Sequence, residues 1–192
     1  MPSKSGNVSV RTARGFLITP AALPYACTTP EDLVECDGEG QVIAGTRRPS
    51  SEWRLHAAVY AARPEAKAIV HTHSPMATAL SCARRPIPPF HYMVALAGGA
   101  DIPCSGYATF GTAELAEAAV AALIGRRACL LANHGVLALG STLAGADTLA
   151  REVENLARQY LALLGAGLPP VLLTAGEMRD VAAQFGGYGR LA

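Results

Sequence analysis

Two histidines separated by a single residue, His71 and His73, have the type and spacing that metal chemistry requires. They end the stretch 68–73, whose β-branched residues predict a strand. On a strand, side chains at i and i+2 leave the same face, so both imidazoles point the same way. Such a pair can supply two nitrogen ligands to a zinc ion at about 2.0–2.1 Å. The same pattern also occurs as a plain polar pair on a strand face.

A third histidine, His134, follows an apolar stretch and directly precedes Gly135, where the backbone can turn tightly. A buried strand end is a costly place for an imidazole without a partner. Three imidazoles would leave one coordination position open, which is the arrangement of a catalytic zinc. The alternative is a histidine in a surface turn.

Glu52 is the fourth candidate, because it stands at the start of a predicted helix. A carboxylate held there can bind a metal at rest and act as a base when displaced. Acidic residues are also favoured in the first turn of any helix by the macrodipole. His56 lies on the same helix face as Glu52 and either hydrogen-bonds to that carboxylate or is an ordinary helix histidine, the interpretation we favour.

Two small polar segments suit a phosphate. Ser50 and Ser51 precede the same helix and offer backbone N–H groups, hydroxyls and a positive dipole end. The segment 5–7, Ser-Gly-Asn, is a second flexible polar loop. Either segment is also an ordinary cap or turn. Arg47 and Arg48 either steer an anion or are solvated charges, which is the commoner case.

These residues need a scaffold, and turn and periodicity signals supply one. Strands are predicted at 8–10, 16–18, 41–44, 68–73, 92–96, 128–131 and 136–139. Helices are predicted at 52–62 with Ser50 or Ser51 as N-cap, at 76–83, at 112–124 with Thr112 as cap, at 143–164, and from a Thr174–Glu177 capping box to Phe185. The glycine-rich tail 186–190 is predicted to lack regular structure. We expect an α/β fold of α+β-like type, with a mixed, largely antiparallel sheet sandwiched by helices in a single domain.

Composition limits the possible functions. The 192 residues are 51% hydrophobic and only 16% charged, with a formal charge of +1. Such a charge-poor surface indicates burial between subunits, and the balanced charge is untypical of nucleic-acid binding. The longest apolar run, 118–124, is too short to span a membrane, and the N-terminus has no signal-peptide pattern. Five scattered cysteines without a CxxC pair argue against disulfides or a thiolate zinc site, so we expect a cytoplasmic protein.

Five separated motifs occur in order: GNVSVR at 6–11, LITP at 17–20, PSSEWR at 49–54, HTH at 71–73 and NHG at 133–135. Together they resemble the zinc-dependent class II aldolase/epimerase family, which also contains the adducin head domain. The stretches IPPFHYM at 87–93 and YATFG at 107–111 are similar to the branch that cleaves ketose 1-phosphates such as L-fuculose 1-phosphate. The likeness covers residues 6–190, so we expect one such domain over 1–192.

The resemblance implies a role for each matching residue. One Zn²⁺ per subunit would be bound by His71, His73, His134 and Glu52, and Glu52 would also move the proton. Substrate phosphate would be held by Gly6, Asn7, Thr19, Ser50 and Ser51. Tyr92 and Tyr188 would act in the site of a neighbouring subunit, with Tyr92 as proton donor, in a homotetramer. The reaction would be reversible cleavage of a phosphorylated ketose to dihydroxyacetone phosphate and an aldehyde through an enediolate.

The chain departs from the family pattern near the phosphate residues. Lys4 stands where a threonine is usual, and Ala22 stands where the aldolases have glycine. We also expect the family's N-terminal helix to be missing ahead of Gly6. Within the family, the alternatives are an L-ribulose-5-phosphate 4-epimerase or a sugar-acid phosphate decarboxylase. An adducin-like interaction module without catalysis is the alternative of another class.

Overall fold

One seven-stranded sheet organises the described part of the chain. The structure is a computed structural model that describes residues 5–188, with side chains through residue 186. The strands are β1 (Asn7–Arg11), β2 (Phe16–Ile18), β3 (Val34–Cys36), β4 (Val42–Ala44), β5 (Ala68–Thr72), β6 (Ala128–Leu131) and β7 (Gly135–Gly140). Their spatial order is β4-β3-β2-β1-β5-β7-β6, and all neighbouring strands are antiparallel. The expected, largely antiparallel sheet is confirmed, and no parallel pair occurs among its described strands.

Five α-helices of the described part of the chain cover the two faces of this sheet. They are α1 (Trp53–Ala62), α2 (Pro75–Cys82), α3 (Ala113–Ala122), α4 (Leu143–Gly165) and α5 (Ala175–Tyr188). Apolar residues of α2, α4 and α5 pack in one core with Val70 of β5, and those of α1 and α3 pack in a second core with Ile69. Because side chains alternate along β5, His71 belongs to the α1 face and Thr72 to the α4 face.

Several local predictions are confirmed by side-chain caps. Thr112 Oγ1 accepts from Leu115 N at 3.3 Å and begins α3. The Thr174–Glu177 capping box begins α5, with the Thr174 N–H bonded to Glu177 Oε2 at 2.7 Å. None of the helices in the described part of the chain is both long and apolar enough to cross a membrane.

Other predictions are wrong. Residues 92–96 are not a strand but part of a 3-10 helix, Tyr92–Ala97, because the His91 ring caps its start and left-handed Gly98 ends it. This turn buries Val94 and Ala97 together in the core. Strand β3 was not predicted: its three residues alternate between buried and half-buried positions, but so short a segment carries little periodicity signal.

Two helix ends also differ from expectation. Helix α5 continues through the glycines to Tyr188, because glycine lowers helix propensity without forbidding a helix. Neither Ser50 nor Ser51 caps α1; the N-cap is Glu52, because Ser50 is held in an extended link to Thr19, whose carbonyl accepts its N–H at 3.1 Å.

Candidate active site

Three imidazoles and one carboxylate from three separate segments meet at one end of the sheet. His71 ends β5, His73 follows it, His134 lies in the β6–β7 turn, and Glu52 precedes α1. Their possible ligand atoms all lie within 4.8 Å of one another. His71 Nε2 is 3.1 Å from His73 Nε2 and 3.2 Å from Glu52 Oε2, and His134 Nε2 is 3.3 Å from Glu52 Oε1. The convergence predicted for these four residues is therefore present.

The His71 ring is oriented by the neighbouring strand. Its Nδ1 lies 2.9 Å from the carbonyl oxygen of Val136, to which it must donate a proton. The other ring nitrogen, Nε2, is therefore the one that lies towards His73 and Glu52 and is available to a metal ion. A backbone acceptor behind a ligating imidazole is the usual way in which proteins fix its tautomer and orientation.

His134 is held by a tight corner. Asn133 has a left-handed backbone with φ of 55°, and Gly135 approaches the Thr72 carbonyl so closely that a Cβ would lie 2.3 Å from that oxygen. Ser81 of α2 supports the corner, because its backbone oxygen accepts from Asn133 N at 2.9 Å and its hydroxyl accepts from His134 N at 3.3 Å. Helix α2 therefore fixes the third ligand.

The electrostatics of the cluster favour a bound cation. Burial raises the pKa of the Glu52 carboxyl, but the adjacent His71 and His134 outweigh it and bring the pKa to about 2. Burial lowers the pKa of His134 to about 4 and also lowers that of His73. A carboxylate and imidazoles with free lone pairs are the protonation states that metal binding requires.

The residues present fit a divalent metal ion. Glu52 Oε1 is buried and forms no hydrogen bond within the described part of the chain. Three nitrogen donors and one carboxylate oxygen match the donor set and count of a protein zinc centre. An orphaned carboxylate oxygen in a buried group is costly unless a cation satisfies it.

A cavity of about 470 Å³ opens beside the cluster. It is lined by the loop 5–7, by residues 20–22 and 50–52, by His73, by Tyr107, Ala108 and Phe110, and by Asn133 and His134. Tyr107 and Phe110 are 58% and 64% exposed, so their rings are free to contact a ligand. The residue types alone did not single out these two aromatics, although both lie in the YATFG stretch.

The residues predicted to hold phosphate are partly brought together. Gly6, Asn7, Ser50 and Ser51 line the cavity, whereas Thr19 is not part of its described lining. Thr19 instead links two of its walls, because its hydroxyl accepts from Val8 N at 3.1 Å and its carbonyl accepts from Ser50 N at 3.1 Å. Thr19 therefore sets the spacing of the polar loops.

Two residues near the predicted phosphate site, Ala22 and Arg47, differ from what a simple anion-binding site would contain. Ala22 lines the cavity in a left-handed conformation with φ of 60°. Arg47 pairs with Asp32 at 2.9 Å, so its charge is compensated there. Lys4 lies outside the described residues.

Of the two tyrosines predicted to act across subunits, Tyr92 is not part of the cavity lining. Tyr92 is 50% exposed, and its ring stacks on His91 at 4.9 Å and on Phe185 at 6.2 Å. Tyr188 is the last described residue of α5, and its side chain lies outside the described part. His56, which we interpreted as an ordinary helix histidine, contacts Asn7 and not Glu52 directly.

Comparison with known proteins gives consistent matches. The class II aldolase and adducin N-terminal domain matches residues 1–161. A 5-methylthioribulose-1-phosphate/5-deoxyribulose-1-phosphate aldolase of Rhodospirillum rubrum is 54% identical over 185 residues, covering 96% of this chain and 83% of that protein. An L-fuculose phosphate aldolase of Escherichia coli is 48% identical, covering 96% and 86%. A solved L-fuculose 1-phosphate aldolase superposes with a TM-score of 0.93 at 41% identity, covering 97% of this chain and 88% of that one.

Proposed function

Since the chain belongs to the class II aldolase and adducin family, whose aldolases are metal-dependent lyases, we propose that it reversibly cleaves a ketose 1-phosphate to dihydroxyacetone phosphate and an aldehyde. The observation that carries this proposal is the convergence of His71, His73, His134 and Glu52 within 4.8 Å at the wall of a cavity. The adducin-like alternative without catalysis does not need such a complete donor set.

The proposed cofactor is one Zn²⁺ held by these four residues. A zinc ion supplies Lewis-acid polarisation of a carbonyl and stabilises negative charge that develops on oxygen. Imidazole ligands also accept other divalent ions. Zinc is proposed because three nitrogens and one carboxylate oxygen are its usual donor set in proteins.

Glu52 is the proposed catalytic base. It is a carboxylate at neutral pH, because its pKa is about 2. It lies at the boundary between the metal cluster and the cavity, within hydrogen-bond reach of both His71 and Asn7. A carboxylate in this position can leave the cluster when substrate oxygens arrive and then accept a proton from substrate carbon.

The phosphate end of the substrate is assigned to the polar wall. Gly6, Asn7, Ser50 and Ser51 surround this end of the cavity, and Thr19 joins the two loops that carry them. Backbone N–H groups and hydroxyls ahead of α1, together with the positive end of that helix, suit a phosphate.

The aldehyde end is assigned to the aromatic wall formed by Tyr107, Ala108 and Phe110. The substrates in the names of the relatives, 5-methylthioribulose, 5-deoxyribulose and L-fuculose phosphates, all end in an apolar group remote from the phosphate. Packing an apolar substituent against these exposed rings makes binding more favourable, and an additional hydroxyl on the substituent would weaken binding. We therefore propose a deoxy or methylthio ketose 1-phosphate as the substrate class.

The proposal includes a homotetramer with shared sites, in which Tyr92 protonates the new alkoxide in a neighbouring subunit and Tyr188 reaches the same interface. Tyr92 supports this because it is half exposed and does not line the cavity described for its own chain. A cytoplasmic location is also proposed, because all five cysteines are free thiols.

A cleavage assay tests the proposal. Purified protein is supplied with zinc and given L-fuculose 1-phosphate, 5-methylthioribulose 1-phosphate, 5-deoxyribulose 1-phosphate and, as the competing substrate, L-ribulose 5-phosphate. We expect dihydroxyacetone phosphate from one or more of the 1-phosphates, and a loss of about 10²–10⁴-fold in Glu52→Gln, whose amide cannot accept a proton. Preferential turnover of L-ribulose 5-phosphate would favour the epimerase, and no turnover of any substrate by the zinc-loaded protein would favour the interaction module.

A further inference from the structure

A continuous line of buried polar side chains leads from Glu52 into the space between α1 and the sheet. Asn7 Nδ2 donates to Glu52 Oε2 at 2.8 Å, and Asn7 Oδ1 lies 2.5 Å from His56 Nε2. On the other side of the ring, Ser9 Oγ lies 2.6 Å from His56 Nδ1 and 2.8 Å from the Tyr60 hydroxyl. Each of these five residues is at most 6% exposed, so their hydrogen bonds are shielded from water.

Two sequence periodicities produce this line. Glu52, His56 and Tyr60 are spaced by four and therefore lie on one face of the α1 segment. Asn7 and Ser9 are spaced by two and lie on one face of β1. The helix face packs on the strand face, so that residues of the two elements alternate along the line.

The chemistry of the groups fixes the direction of every hydrogen bond. A carboxylate only accepts, so Asn7 presents its amino group to Glu52 and its carbonyl oxygen to His56. His56 must then donate from Nε2, which leaves Nδ1 of the neutral ring as the acceptor for the Ser9 hydroxyl. Ser9 Oγ in turn accepts from Tyr60, so all donors point towards Glu52.

Burial keeps each group in the protonation state that this direction needs. Burial lowers the pKa of His56 to about 3, so that the ring is neutral near pH 7. Burial also raises the pKa of Tyr60 to about 12, so that the phenol keeps its proton. At the far end, the Arg11 guanidinium lies 4.5 Å over the Tyr60 ring and donates to the Tyr60 carbonyl at 2.7 Å.

We propose that His56 is a positioning residue for Glu52: by donating to Asn7 Oδ1, it prevents the amide from turning over and keeps the Asn7 amino group against the carboxylate. A turned amide would place its oxygen against Glu52, where two acceptors repel each other. Ser9 and Tyr60 complete this line of hydrogen bonds, because they hold His56 in the tautomer that donates from Nε2. This inference rests on the proposed role of Glu52 as metal ligand and base.

The wild-type protein gives the first test. Long-range ¹H–¹⁵N spectra of the histidine rings report which ring nitrogen carries the proton. We expect His56 to be the neutral Nε2–H tautomer at pH 7. An Nδ1–H tautomer, or a protonated ring, would overturn the proposal without any variant being made.

The second test separates positioning from stability by means of zinc affinity, measured by competition with a chromophoric chelator. His56→Phe keeps the ring volume and removes the donor, and we expect zinc affinity and kcat to fall about 10–100-fold while KM changes little. His56→Gln retains an N–H at the same reach, and we expect it to recover most of the loss. Val59→Ala, in the apolar core of the same helix, destabilises the fold without touching the line and should leave zinc affinity within about twofold of wild type.

A double-mutant cycle shows whether His56 acts through Glu52. In a Glu52→Ala background, His56→Phe should change zinc affinity by less than about twofold. A loss of zinc affinity that persists in the Glu52→Ala background would overturn the inference. So would a His56→Phe variant whose zinc affinity equals that of Val59→Ala. If His56→Phe fails to fold, Ser9→Ala replaces it, with the expected result that some His56 moves to the Nδ1–H tautomer; an unchanged tautomer would contradict the proposal. If wild type cleaves no ketose 1-phosphate, the proposed function fails, while the tautomer and zinc measurements still decide the positioning role.

Discussion

Replacing Gly135 by alanine tests whether the close approach of β5 and β7 holds the three imidazoles together. A Cβ at Gly135 would lie 2.3 Å from the Thr72 carbonyl oxygen and 3.0 Å from Cδ2 of His73. Ordinary contact starts at 3.4 Å, so the end of β5 must move away by about 1 Å. His71 and His73 flank Thr72, so both rings move with that segment.

The magnitude follows from two separate costs. Overpacking of this kind costs about 1–3 kcal/mol, which lowers Tm by roughly 2–12 °C in a chain of this size. Metal centres tolerate displacements of only about 0.2 Å in ligand position. A movement of β5 by several times that amount should therefore lower zinc affinity at least about tenfold.

The assay compares the variant with a matched glycine substitution. Gly38→Ala is the control, because an added Cβ there meets nothing within 4 Å. Zinc affinity is measured by chelator competition, and Tm is measured by circular dichroism on the metal-free proteins. Wild-type zinc affinity in Gly135→Ala, with Gly38→Ala also unchanged, would refute the view that this contact positions the ligands.

Three further perturbations have defined outcomes. Ala22→Gly removes a left-handed alanine (φ 60°) and should stabilise the protein by about 0.5–1 kcal/mol in urea unfolding; a loss of stability would show that the methyl group packs favourably. Because folded His56 has a pKa of about 3 against about 6.5 when unfolded, the unfolded chain binds the extra proton below pH 6.5. Stability is therefore lost as pH falls from 6.5 towards 3, by about 2 kcal/mol from this ring at pH 5, and His56→Gln should flatten that profile in metal-free protein. Mixing Tyr92→Phe subunits with Glu52→Gln subunits should restore part of the activity that each variant lacks alone. Mixtures whose activity equals the sum of the two separate activities would argue against shared sites.

Much of the fold could be predicted because its signals are local. The β-branched run before His71 predicts a strand, and Thr112 and Thr174 predict helix starts, each from a pattern of only a few residues. The turn Tyr92–Ala97 could not be predicted, because its apolar residues suit a strand equally well and only packing of Val94 and Ala97 in the core decides. Strand β3 has three residues, too few for a periodicity.

Part of the site could also be predicted from local sequence patterns, and part depends on long-range packing. The same-face relation of His71 and His73 follows from strand geometry, but the arrival of His134 depends on long-range pairing of β5 with β7. His56 shows the limit most clearly. Its helical spacing from Glu52 suggested a direct contact or none, whereas Asn7 of a distant strand lies between the two residues.

X-ray absorption at the zinc edge of the loaded wild-type protein tests most directly whether these four residues form one metal centre. The predicted spectrum has one zinc per chain, only nitrogen and oxygen neighbours at about 2.0–2.1 Å, and outer-shell scattering from three imidazole rings. His134→Ala should lose one ring from that spectrum. Sulfur in the first shell, or a wild-type spectrum with fewer than three imidazoles, would contradict the account.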